Sequence, residues 1–419
     1  MAQYRSLATN HVWLYTLLLA TVVFLAPTNL FYKFWETGSY IHGLQVDYLI
    51  GKFYASQAPV FALLAVWLLK RRTGEQLLGL WQKPSVKFLA YLLLILGLRQ
   101  LFTPEPLMSL WHWFNLGVIA LLIVFLRTNQ NLTRHPLVLT AFVATVIFQS
   151  VVALAQYALQ HELFGFLFFG EPDLSQSIGI ARFIVSGSEK ILPYGTTAHP
   201  NVLAGFLAVY SLMIILIFKQ KKMGKLFDSL ALIAMVLGIA ALAATTSLSG
   251  VATFFIGLLY LFLPKKYNLK HISLTLLLVT ILIPIGIHLA AIVDPSNQSL
   301  TRRDYLQQAG LGIFADNVVW GTGLQTVTRS IEQYSRTSEI VRFTQPPHHV
   351  GILLASETGV IGVLLLLYLC TFWTNASLLL LIPLFTLDHY LFTLWPGLLL
   401  LSLAATVFTP QKTHPKASR

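Results

Sequence analysis

Charge is scarce in this chain. Asp, Glu, Lys and Arg make up 11% of 419 residues, against roughly 25% in ordinary globular domains, and hydrophobic residues reach 56% with a mean hydropathy of +0.70. That excludes a soluble protein and leaves an integral membrane protein. Cysteine is nearly absent. Cys370 stands alone inside an apolar run, which rules out a disulfide framework and a thiolate metal site and leaves the redox compartment unread. No cleavable leader is expected either: the first apolar run, near 11–31, runs too long and lacks a convincing small-residue cleavage site, so it reads as an anchor. The two halves of the chain show no repeat, which counts against a transporter built from duplicated bundles.

What is present is a series of apolar runs, near 11–31, 48–69, 86–102, 110–126, 136–160, 199–218, 226–244, 248–263, 271–293, 349–373, 376–387 and 389–408. Most approach the roughly 20 residues that cross a bilayer core. The expected fold is all-α and polytopic, with about twelve transmembrane helices. The net charge of +12 could suggest nucleic acid, but its distribution points elsewhere. Arg5, Lys70, Arg71, Arg72, Lys83, Lys87, Arg127, Arg134, Lys219, Lys221, Lys222, Lys225, Lys265, Lys266, Lys270, Lys412, Lys416 and Arg419 fall in alternate connections and the two ends. The positive-inside rule assigns that side to the cytoplasm. The basic excess is therefore topogenic, with no nucleic acid implied.

This orientation organises the chain into N-terminal spans over 1–160, an external loop over 161–198, middle spans over 199–293, a second external loop over 294–348, and C-terminal spans with a tail over 349–419. The loops hold Arg182, Lys190, Arg302, Arg303, Arg329, Arg336 and Arg342. Together, basic groups close to a membrane surface favour an anionic ligand such as phosphate. In the second loop Thr301 is a candidate cap with Asp304 three residues on, and Leu306, Ala309, Gly310 and Ile313 follow at helical spacing. An amphipathic interfacial helix is expected there, its first turn presenting free N–H groups beside Arg302 and Arg303 as a pyrophosphate seat. Trp320-Gly321-Thr322-Gly323 then turns the chain. In the first loop, Glu171-Pro172-Asp173 is an acid-x-acid pair that could bind a divalent cation but is better read as two solvated acids.

The stretch with the most chemistry is Pro346-Pro347-His348-His349, which carries two imidazoles from a polar loop to the mouth of an apolar helix. Such a pair can mark the interface or exchange protons with a membrane-anchored substrate. Glu357 lies nine residues beyond His348, a rise of roughly 13 Å and about half a revolution. It cannot orient that imidazole within one helix, and with Ser356, Gly359 and Gly362 around it, locking of helix against helix is the expected role.

The segment His-His-x-x-Ile-x-x-x-x-Glu-x-Gly-x-x-Gly, from His348 to Gly362, resembles the signature of the O-antigen ligase and O-antigen polymerase superfamily, with His349 where the family usually has Asn. Gly195-Thr196-Thr197-Ala198-His199-Pro200-Asn201, followed by Ala204-Gly205, resembles a second landmark of that family. The arginine usual before this glycine is replaced by Ile191-Leu192, with Lys190 or Arg182 as substitutes. A third landmark, normally Ser-Arg-Gly, reads Ser247-Leu248-Ser249-Gly250 and lacks its arginine. The resemblance covers roughly residues 180–375.

It implies a GT-C-like glycosyltransferase in the bacterial cytoplasmic membrane, with its site on the extracytoplasmic side and no cofactor or metal. The implied donor is a glycan on undecaprenyl pyrophosphate, and the acceptor a glycan, lipid or protein hydroxyl. His348 and His349 would be the catalytic candidates, Arg302 or Arg303, with Arg182 and Lys190, the pyrophosphate ligands, and His199, Asn201 and Glu357 substrate-binding or structural. The rivals are a twelve-span transporter, a non-catalytic scaffold and, within the family, a protein O-oligosaccharyltransferase.

Overall fold

The computed structural model describes residues 2–176, 179–185, 187–220, 223–262, 269–372 and 376–407. Of the basic residues used for orientation, Lys221, Lys222, Lys265, Lys266, Lys412, Lys416 and Arg419 lie outside them. Helix α1 covers Ala2–Leu25 and α2 Gln57–Leu68. Between them β1 (Phe31–Trp35) pairs antiparallel with β4 (Gly51–Tyr54), and β2 (Tyr40–Ile41) pairs with β3 (Leu44–Gln45) at the tip. The apolar run expected to span from 48 to 69 is thus corrected: its first part is a 3-10 turn and a strand, and helix begins only at Gln57. An apolar run of this length does not by itself distinguish strand from helix, and Asp47 and Lys52 supply the polar ends of a hairpin.

Helices α3 (Arg71–Trp81), α4 (Pro84–Arg99), α5 (Pro106–Thr128), α6 (Gln130–Thr133) and α7 (Pro136–Leu159) follow. Three of them open on proline, whose missing N–H is no loss in a first turn. A hairpin of β5 (Arg182–Val185) and β6 (Ser188–Ile191) leads to α8 (Pro200–Gln220), α9 (Lys225–Ala244), α10 (Leu248–Phe262) and α11 (Leu269–Val293). The remainder is α12 (Gln298–Asp316), α13 (Val327–Tyr334), α14 (Val350–Phe372), α15 (Ala376–Leu387), α16 (Tyr390–Thr393) and α17 (Trp395–Val407). Among the described residues six helices are long and apolar enough to cross a membrane, and five apolar ones are shorter. The chain is an all-α polytopic membrane protein, with three two-stranded sheets among the described residues.

The main core joins α1, α2, α5, α7, α8, α9, α15 and α17. A second core clamps the first hairpin against the later helices: Val46, Tyr48 and Leu49 pack with Leu306, Ala309 and Ile313 of α12, Val327 and Ile331 of α13, and Leu353 of α14. The periodic face anticipated from Leu306 to Ile313 is therefore buried against protein. Arg329 fixes the clamp by donating to the carbonyls of Gly38 and Tyr40 and to Glu105 at 2.6 Å.

Helix α14 is broken at Gly359, whose φ of 63° and ψ of −165° lie outside the helical region. The backbone groups freed by the break pair with the stretch after α12. Thr322 N donates to Ser356 O at 3.0 Å, Gly323 N to Glu357 O at 2.8 Å, and Val360 N to Val318 O at 2.7 Å. A side chain at Gly359 would collide with the backbone of Val319, so the residue needs both its φ and its bareness. Non-helical backbone at membrane depth persists only where protein satisfies it, and residues 318–323 do that here.

Candidate active site

Pro346 and Pro347 hold His348 just ahead of α14, and α12 approaches closely because it has no side chain at Gly310: a Cβ there would lie 2.7 Å from Pro347 Cγ. His348 Nδ1 is buried without a hydrogen-bond partner among the described residues. The ring packs edge-on against His389, with centroids 5.1 Å apart. Asp388, its neighbour in the α15–α16 connection, is buried and accepts from Asn201 Nδ2 at 2.9 Å. Asn201 N donates in turn to His199 Nδ1 at 3.1 Å. Three connections thus deliver His199, Asn201, His348, Asp388 and His389 to one polar cluster at one end of the bundle.

Arg303 acts on this cluster electrostatically; its charge bears on His199, His348, Asp388 and His389. Arg302 instead lies over the Phe343 ring at 5.0 Å and donates to Gln298 at 3.4 Å. The two arginines are thereby separated. Nor are they at the helix start: Asn297, not Thr301, caps α12 by accepting from Leu300 N, which corrects the expected cap and places both arginines one turn inside the helix.

Burial holds His348 down to about 3; His389 beside it adds to that, Asp388 opposes it, and Arg303 and His199 add again. His199, His349 and His389 are also lowered, chiefly by burial. For Asp388 burial works upward, but His389, His348, His199 and Arg303 outweigh it and the carboxyl stays below its usual range. The imidazoles are neutral near pH 7 and the carboxylate is charged. An unfolded chain takes up protons on histidine below about pH 6.5 while the folded chain resists, so folded stability falls on acidification through that window. Asp388 works in the same sense at the acid end, its contribution being lost as pH falls through its depressed value. The detergent-solubilised protein is expected to unfold several degrees lower at pH 5 than at pH 7.5, and His348→Gln to flatten that drop; a flat wild-type profile would contradict the buried neutral cluster.

Residues 197–367 match the family model described as O-antigen ligase. This segment is similar to the O-antigen ligase family. No curated protein matches the chain. The O-antigen ligase segment holds His199, Asn201, Arg303, His348 and Glu357, whereas Asp388 and His389 lie beyond it. Those two escaped the reading of the sequence because Asp388 falls in the one-residue gap between two apolar runs taken as consecutive spans and His389 opens the second of them. A charged residue beside a histidine in so apolar a setting was the available signal.

His349 is buried and its Nε2 meets Thr280 O at 3.3 Å, so it faces α11. Glu357 of the O-antigen ligase segment is fully buried; its Oε1 accepts from Tyr48 OH at 2.8 Å, Thr326 N at 3.0 Å and Val327 N at 3.2 Å. It binds the first hairpin and the start of α13 to α14. Arg182 engages Gln176 O and Glu189, and Lys190 lies over Tyr157 at 5.6 Å; these contacts belong to the β5–β6 hairpin and its surroundings. Glu171 accepts from Phe164 N and Phe166 N, and Asp173 from Ser175, so both acids serve turns. At the third landmark, Ser247 and Ser249 share a hydrogen bond of 3.2 Å and Gly250 lets α10 press on Ala204 of α8.

Proposed function

We propose that the protein is a twelve-span, GT-C-like glycosyltransferase that moves a glycan from undecaprenyl pyrophosphate to an acceptor hydroxyl on the outer face of the bacterial cytoplasmic membrane. The convergence of His348 and Arg303 within an O-antigen ligase segment carries this reading. The acceptor oxygen attacks the anomeric carbon opposite the pyrophosphate, the carbon–oxygen bond to phosphate breaks, and the hydroxyl proton passes to the free lone pair of His348. Arg303 balances the charge growing on the leaving group. In the free protein His348 is a weak base. A bound diphosphate would cancel the field of Arg303 and add its own, raising the imidazole toward the working pH. Asp388, Asn201 and His199 hold the far side of the cluster in place.

The test is the purified full chain in nanodiscs with glycan-charged undecaprenyl pyrophosphate and a hydroxyl acceptor. Release of undecaprenyl pyrophosphate with a new glycosidic bond is expected; binding or translocation without release would overturn the reading. Arg303→Ala is expected to lower turnover about 10²-fold, as loss of one transition-state donor does. Arg302→Ala should leave turnover within a few-fold, and equal losses would contradict the division of roles between them.

A further inference from the structure

The cluster buries its base, so a proton gained there needs a way out. His389 Nδ1 lies 2.8 Å from Thr393 Oγ1, and that hydroxyl also reaches His389 O at 3.2 Å. With its own proton directed to the carbonyl, the hydroxyl accepts from Nδ1–H, which leaves His389 Nε2 as a lone-pair acceptor. Thr393 also lines a chamber of about 30 Å³ together with Asp47, Tyr48, Lys52, His112, Asn115 and Gln325. Roughly 10–15 Å³ of such space admits one water, so the chamber has room for about two. Its walls call for them: His112 is 3% exposed and its Nε2 has no hydrogen-bond partner among the described residues. Gln325 is held at a φ of 57°, uncommon for a residue other than glycine, while its amide reaches Thr393 O at 3.4 Å. At the far end Asp47 is exposed, its side chain 69% accessible, and is paired with buried Lys52 at 2.6 Å.

We propose that His389, Thr393 and water in this chamber form a proton exit from His348 to Asp47 at the surface. The inference rests on His348 being the base. The proton on His348 moves to His389 Nε2. His389 releases its Nδ1 proton to Thr393, whose hydroxyl turns from the His389 carbonyl and passes its own proton to chamber water and on to the Asp47 carboxylate and bulk solvent. One proton enters and one leaves, and His389 regains its starting tautomer by giving up its Nε2 proton and taking one back at Nδ1 through Thr393 and chamber water. The charged and titratable groups facing His389 suit this traffic. Asp388 on its own loop and Asp47 on the hairpin attract a proton, while Arg303 on α12, with His348 and His199, discourages it from resting there. His389 and Thr393 are positioning residues in this scheme, acting through His348.

Thr393→Val keeps the shape and removes the hydroxyl; Thr393→Ser restores it. With the nanodisc assay, Thr393→Val is expected to lower kcat by about tenfold or more with KM for the donor unchanged, to enlarge the solvent isotope effect and to shift the pH profile. Thr393→Ser should recover all three. His389→Gln, which can still donate to Thr393 but cannot pass a proton, should match the valine variant. Wild-type kcat and pH profile in either Thr393→Val or His389→Gln would overturn the relay while leaving the transferase reading intact. A wild-type protein that releases no undecaprenyl pyrophosphate would overturn both.

Discussion

His348→Ala is expected to reduce release of undecaprenyl pyrophosphate by about 10²–10⁴-fold, the range that a positioned general base contributes. The expectation follows from the buried Nδ1 of His348, which has no hydrogen-bond partner among the described residues, and from the orientation of its neighbour: His349, next in sequence, is turned toward Thr280 of α11. His349→Asn should therefore be mild, retaining most turnover and donor affinity. A His348→Ala variant that folds and turns over normally would remove the base from the scheme. Comparison of kcat and KM separates the outcomes, because loss of the base lowers kcat, whereas collapse of the site would also weaken the donor's apparent binding.

Glu357→Leu is expected to destabilise the fold by about 3–5 kcal/mol, because it strands three buried donors at once, the hydroxyl of Tyr48 and the amides of Thr326 and Val327. Glu357→Gln keeps an acceptor oxygen and should cost about 1–2 kcal/mol. Chemical unfolding of the solubilised protein, followed by tryptophan fluorescence, measures both. The two changes act on different aspects of the protein. His348→Ala should leave stability near that of wild type, and Glu357→Gln should leave the chemistry intact wherever it folds. If Glu357→Leu proved as stable as wild type, the carboxylate would not be the tie between the hairpin, α13 and α14.

Much of this could be read from the chain and some could not, for physical reasons. Apolar runs announce helices, and each run taken as a span contains one. The hairpin over 31–54 was hidden because its strand residues are as apolar as the helix that follows. Arg302 and Arg303 were indistinguishable in sequence because adjacent helical residues diverge by about 100°, and only the packing of α12 decides which one faces the histidines. Asn297 displaced Thr301 as the cap because both types cap well and context selects between them. Asp388, His389 and Thr393 lie close together but far along the chain from Asp47, His199 and His348, so no local pattern could join them to those residues.

The mended break in α14 also sets an order of assembly. Residues 318–323 leave the ribosome before the helix whose gap they fill, so their hydrogen-bond partners are in place when the segment around Gly359 arrives. A helix with that gap could not rest alone in hydrocarbon. It settles only after residues 318–323, as a latch shutting on a strip of chain that is already waiting.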